Sequence, residues 1–202
     1  MQNETWNHLQ RNGLESYLND PEHNLCVGNR ADCLEFSRFC KFNGLVLDVG
    51  CGPQEIPSYI PSSGFVGIDP IAESHSFAFA QAIGEFLPFK DKVFDHVVFA
   101  TSLDHCIDPK QAMMEAKRVS RGKINIWIGE RRDDVPRLAL APEWYTKLER
   151  PEGAEDKFHM KRFSPSDIRE IVNEAGLRII EERIYQDEFR IHYFYTVAEN
   201  GT

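Results

Sequence analysis

Residues 44–54 read GLVLDVGCGPQ. The run LVLDV is short, apolar and rich in branched side chains, as a strand buried in a parallel sheet requires. It ends in Asp48 and enters a loop with Gly50 and Gly52, where the missing Cβ atoms let the backbone turn sharply and approach a ligand closely. A glycine pair alone is weak evidence for a nucleotide site. The dinucleotide fingerprint needs a third glycine where Glu55 stands, so the spacing speaks against a nicotinamide cofactor. An acid at the strand end also suits a cationic ligand group better than a pyrophosphate.

Working outward, short apolar runs alternate with helical patterns: FVGI (65–68), FAFA (77–80), FDHVVFA (94–100) and KINIWI (123–128), then 177–183 and 189–198. This alternation predicts a parallel α/β sheet with most strands buried. In DPKQAMMEAKRVSRG, Asp108 is the expected N-cap, Pro109 the first helical residue and Gly122 the stop. SPSDIREIVNEAG predicts a capped helix, with Ser164 as N-cap, Asp167 as its acidic partner and Gly176 at its end. Residues 1–42 hold two weaker helical patterns and are expected to form a flap or outer layer. Residues 129–163 are charged and proline-bearing, and are expected to form an insert or lid over the site.

The 202 residues, 42% hydrophobic and with a net charge of -9, suffice for one domain with a real core and exclude disorder. The acidic balance gives no footprint for nucleic acid. No apolar run approaches the length of a membrane span, and the first residues lack a signal pattern, so a cytoplasmic protein is expected. The five cysteines, Cys26, Cys33, Cys40, Cys51 and Cys106, contain no C-x-x-C pair and read as small core residues. His75 and His96 lack partners at metal-ligand spacing, and no metal is expected.

Several ordered motifs resemble the class I S-adenosylmethionine-dependent methyltransferases, specifically the branch with quinone-biosynthesis and small-molecule enzymes. LDVGCGP is similar to that family's first motif, VGIDP to its acid-ended second strand, GEFLPF to its adenine-side loop, and VVFATSLDHCIDP to its fourth strand and beyond. HMKRFSPSDIREIVNEAGL resembles its late helix. The resemblance spans about residues 43–198. It implies an α/β, Rossmann-like, seven-stranded and mostly parallel sheet with helices on both faces and the last strand antiparallel. It also implies S-adenosylmethionine as cofactor. Asp48, Gly50, Cys51 and Gly52 would surround its methionyl part and Asp69, with Pro70, its ribose. Ile83, Gly84, Glu85 and Phe86 would lie on the adenine side, and Ala100 and Thr101 near the methionine.

Three features depart from the family pattern. Gln54 stands where many members have a third glycine, and Ile83 where an acid usually recognises adenine. The link from Asp69 to Ser76 is too short for an ordinary crossover helix.

Methyl transfer from a sulfonium asks mainly for in-line alignment and exclusion of water, and an oxygen acceptor adds the need for a base. His105 is the candidate base, with Asp104 orienting it or binding substrate. The competing reading makes His105 a cap of, or packing under, the next helix. His159 and Arg162 are candidates to close over the acceptor, although solvated surface is the better reading of both; Tyr59 is a candidate to reach the cofactor. The N-P-P-[YF] signature is absent at 101–104, which weakens an amine or RNA acceptor. The expected reaction is methylation of oxygen or carbon on a small organic acceptor, such as a sugar or biosynthetic intermediate. The alternative is a non-catalytic S-adenosylmethionine-binding regulatory or interaction protein.

Overall fold

The computed structural model describes residues 2–20, 30–52, 64–71, 77–135, 143–152 and 156–200. Cys26, Gln54, Glu55, Tyr59 and His75 lie outside them, as does most of the short link after Asp69. Seven strands form one sheet: β1 Leu45–Val49, β2 Gly64–Asp69, β3 Ala78–Gln81, β4 Phe94–Ala100, β5 Ser120–Arg131, β6 Leu177–Gln186 and β7 Arg190–Glu199. Their spatial order is β3-β2-β1-β4-β5-β7-β6. The pairs from β3 to β5 are parallel, while β7 runs antiparallel to both β5 and β6. The reversed last strand is therefore as expected.

Strand alternation divides the core into two layers. On one face Leu47, Val97, Phe99, Ile124, Ile126 and Val197 pack with Ala112, Met113, Ile168 and Val172. Those last four come from α3 (Pro109–Val119) and α5 (Pro165–Glu174). On the other face Val46, Val98, Trp127 and Phe194 meet Cys33, Phe36, Phe39 and Cys40, from α2 (Ala31–Cys40). Phe36 is fully buried, with its ring 5.3 Å from Trp127 and 5.2 Å from Phe194.

The structure corrects several sequence expectations. Of the two expectations for residues 31–40, flap or outer layer, the second holds, because aromatic and thiol side chains on one face of α2 complete a core that the sheet alone leaves open. The segment from 129 onward begins as strand: β5 continues to Arg131 because β7 pairs with it through Arg190. Gly122 does not stop α3, which ends at Val119. It lies inside β5, where a Cβ would come within 2.3 Å of the Asp95 carbonyl oxygen. FAFA is no fully buried strand; β3 is half exposed because it forms the sheet edge.

The local helix signals act as read. Asp108 caps α3 by accepting from Gln111 N at 3.0 Å. Ser164 and Asp167 form a reciprocal capping box, and Gly176 takes φ +67° beyond α5. His96 is a satisfied core residue, with Nδ1 donating to Asn125 Oδ1 at 2.9 Å. α1 (Gln2–Asn19) reaches across to the carboxyl ends of the strands, and a short α4 (Glu143–Lys147) lies in the segment after β5.

Candidate active site

The strand order reverses between β1 and β4, which opens a crevice at their carboxyl ends. Gly50 N and Cys51 N both donate to Ile68 O, which folds the glycine loop back over β2. Gly50 and Gly52 take φ +80° and +65°, a conformation open to glycine at little cost. Asp69 closes the loop from the other side: Oδ2 accepts from Gly52 N and Oδ1 from Ile71 N, each at 2.9 Å. Each carboxylate oxygen has a second lone pair, so Asp69 can hold the loop and still accept from a diol. Tyr17 of α1 covers this loop, since a Cβ on Gly52 would meet its hydroxyl at 2.9 Å.

Cys51 fills the space left by Gly67, where a Cβ would lie 2.7 Å from its Sγ. Burial, then the Asp48 and Asp69 carboxylates, push its thiol far up, so Cys51 packs and is no nucleophile. Asp48 is buried at the end of β1. Glu85 does not turn toward an adenine: its Oε1 accepts from Ile107 N at 2.7 Å and Asp108 N at 3.1 Å, anchoring the entry to α3. Gly84 sits against Val49, Ala112 and Cys106. Phe86, bridged to Ile83 through the backbone, is 71% exposed and leaves an apolar ring open on this side. Ile71 N reaching back to Asp69 fixes the turn that contains Pro70.

At the end of β4, Thr101 adopts φ +56°. A β-branched residue pays for that conformation only where its surroundings enforce it, and here Thr101 N is held by Trp127 O at 3.0 Å. Ser102 then packs under Gly50 and donates its hydroxyl to Val49 O. A 3-10 turn, Leu103–His105, comes next. The chain after α4 returns onto it: Met160 N and Lys161 N donate to Asp104 O at 2.9 and 3.2 Å. Trp6 of α1 donates its indole N–H to His105 O at 3.0 Å.

This return brings His159 to His105, with ring centroids 4.5 Å apart. His159 Nε2 lies 3.5 Å from Asp104 Oδ2, and its Nδ1 2.9 Å from Asp156 Oδ1. His159 is therefore no solvated surface residue, whereas Arg162 is more than half exposed and pairs with Asp156. His105 does not cap α3, because Asp108 does. Burial, then the neighbouring His159, lowers His105 to about 4, so its imidazole is neutral near pH 7. Burial opposes ionisation of Asp156, yet the His159 contact, the Phe158 N–H and Arg162 hold it well below the usual carboxylate range. Sequence reasoning misses Asp156, Trp6 and Tyr17. The spacing of Asp156, His159 and Arg162 is visible in the chain, but nothing local ties it to residue 105.

A family model described as a methyltransferase domain matches residues 47–124, from β1 into β5. The strand order, the glycine loop and the acid ending β2 agree with that match. Over residues 47–124 the chain is thus similar to a methyltransferase domain. An uncharacterized methyltransferase of Schizosaccharomyces pombe is 30% identical over 134 residues, covering 54% of this chain and 47% of the relative. The chain spans about half the length of the curated relatives it matches. Among solved structures, the methyltransferase fold recurs in a SAM-dependent methyltransferase of Thermotoga maritima. Its TM-score is 0.61 and its identity 20%, over 95% of this chain and 99% of that one. It recurs also in the 1,6-didemethyltoxoflavin-N1-methyltransferase of Burkholderia thailandensis, which holds 1,6-didemethyltoxoflavin and S-adenosylhomocysteine. There the TM-score is 0.69 and the identity 12%, over 97% of this chain and 90% of that one. No helix among the described residues is long and apolar enough to cross a membrane.

Proposed function

We propose that this protein is a cytoplasmic enzyme that transfers the methyl group of S-adenosylmethionine to oxygen or carbon of a small organic acceptor. The observation that carries this reading is the group Asp104, His105 and His159, held at the carboxyl end of β4 immediately beside the glycine loop. Ser102 packs against Gly50, so the turn 103–105 and the loop 50–52 border one crevice. Asp48, Gly50, Cys51 and Gly52 line the methionyl side, Asp69 and Pro70 the ribose side, and Ile83 and Phe86 the adenine side. Ala100 and Thr101 close the floor. α1 and residues 143–152 and 156–163 form the cover that keeps water from the acceptor.

The sulfonium supplies an electrophilic methyl group with a neutral leaving group. The protein's part is alignment and removal of a proton from an oxygen acceptor. Neutral His105, packed against His159, can accept that proton, and Asp104 can orient the acceptor or stabilise the charge that results. The two molecules held by the Burkholderia thailandensis enzyme support a cofactor of this class and a small acceptor.

Calorimetric titration with S-adenosylmethionine and S-adenosylhomocysteine tests the cofactor, with NADH as control and Asp69→Ala as variant. Micromolar binding, about -8 kcal/mol, that weakens in Asp69→Ala is expected. Absence of binding to both sulfur ligands overturns the reading. Cofactor binding without turnover across an acceptor panel, unaffected by His105→Gln, would instead mark a non-catalytic binding protein.

A further inference from the structure

We propose that Asp104, His105 and His159 bind one divalent transition-metal ion in the crevice between β4 and the returning segment 156–163. One ligating atom from each residue lies within 4.8 Å of the others. Metal–ligand bonds of about 2.1 Å place neighbouring ligands roughly 3–4 Å apart, so small side-chain rotations close the set around an ion.

Two independent observations point to a missing cation. The Asp104 side chain is only 9% exposed, and its Oδ1 has no hydrogen-bond partner. Among the described residues, its only ion-pair partner is His159. A buried carboxylate oxygen without a donor is costly, about 1–3 kcal/mol, and calls for an occupant. The second observation is the orientation of His159. Asp156 accepts from Phe158 N, His159 N and Arg162 Nε, and its Oδ1 also accepts a hydrogen bond from Nδ1 of His159. That contact aims the other ring nitrogen, Nε2, at Asp104 Oδ2 across 3.5 Å. Both atoms are ligand types for a transition-metal ion, and an ion between them would be coordinated by both. A carboxylate that grips the far nitrogen of a ligand histidine is also the usual support of a metal site.

Two imidazoles with one carboxylate favour a first-row ion of the zinc, iron or cobalt class over magnesium or calcium. The other described group of this kind, Asp32, Asp187 and His192, is satisfied without an ion: Trp127 Nε1 donates to His192 Nδ1, and His192 Nε2 donates to Asp187. Binding of the ion stands on these contacts alone, while its use rests on the methyltransferase reading above. An ion here would hold an oxygen-bearing acceptor and ease loss of its proton. His105 would then act as ligand and leave activation of the acceptor to the ion.

Full-length, tag-free protein stripped with EDTA and desalted should be titrated with Co²⁺ and with Zn²⁺ by calorimetry. Asp104→Asn, His159→Gln and Asp156→Asn should be titrated in the same way, with circular dichroism to verify folding. One equivalent is expected to bind the wild type, at least tenfold weaker in the first two variants and about 10–100-fold weaker in Asp156→Asn. Should the variants not fold, wild-type protein with ¹⁵N-histidine gives the same answer. Paramagnetic Co²⁺ should erase two imidazole signals before the other five of the seven histidines. Lack of stoichiometric binding, binding that all three variants retain, or indiscriminate broadening overturns the proposal. S-adenosylhomocysteine is titrated into the same samples. Its binding without metal binding sinks the ion alone, and metal binding without it sinks the cofactor reading alone.

Discussion

The imidazoles of His105 and His159 meet with their centroids 4.5 Å apart and their planes inclined by 45°. One ring belongs to the turn that ends β4 and the other to a segment that leaves the sheet after β5 and comes back over it. Their meeting gives the crevice a polar wall beside the glycine loop, and it depends on the backbone of Asp104 receiving Met160 N and Lys161 N.

This pair sets a pH dependence of stability. In EDTA, His105 titrates near 4 in the fold and near 6.5 unfolded. Because its folded value is depressed, the unfolded chain binds the proton more readily. Stability should therefore be full above about 6.5 and fall as pH drops toward 4, by on the order of 3 kcal/mol. Asp156 behaves differently, since its depressed carboxyl loses its contribution only below the ordinary carboxylate range. Urea unfolding between pH 4 and 7 should show a slope that His105→Gln reduces, the remainder including buried His96, which is also lowered; an unchanged slope would refute the assignment.

Trp6→Phe keeps the aromatic body and removes the hydrogen bond to His105 O. A loss of about 0.5–1.5 kcal/mol is expected. Hydrogen exchange should show α1 opening more readily while α3 stays protected. Equal loosening of both helices would mean that α1 does not dock independently.

Gly50→Ala places a Cβ 2.6 Å from that of Ser102 at a backbone angle of φ +80°. About 2 kcal/mol of stability should be lost. S-adenosylhomocysteine affinity should fall at least tenfold, because the loop must move away from β4. Wild-type affinity in the folded variant would contradict the placement of the cofactor.

Two other glycines separate backbone freedom from space. Gly13 lies inside α1 with nothing within 4 Å of a built Cβ, whereas at Gly122 a Cβ would strike the Asp95 carbonyl oxygen at 2.3 Å. Gly13→Ala should raise stability by up to about 1 kcal/mol. Gly122→Ala should lower it by about 1–3 kcal/mol. Thermal melts of the two variants that shift in the same direction would contradict this distinction.

Residues 44–54, the I-D-P turn after β2 and the two helix caps are readable because their signals are local. A glycine pair at a strand end, a proline at the first helical position and a serine three residues before an acid each act through neighbours in the chain. Strand periodicity likewise sets the two faces of β1 and β4. The sequence thus determined the alternating α/β chain and, through its ordered motifs, the family resemblance. Tertiary structure alone decided what the side chains do. It turned Glu85 inward to backbone N–H groups, moved Gly122 from a helix stop into a crowded strand, and made α2 half of a core. It also carried His159 and Asp156 to the end of β4. Those outcomes depend on which segments cross the sheet and how closely, and contacts between distant residues leave no periodic trace along the chain.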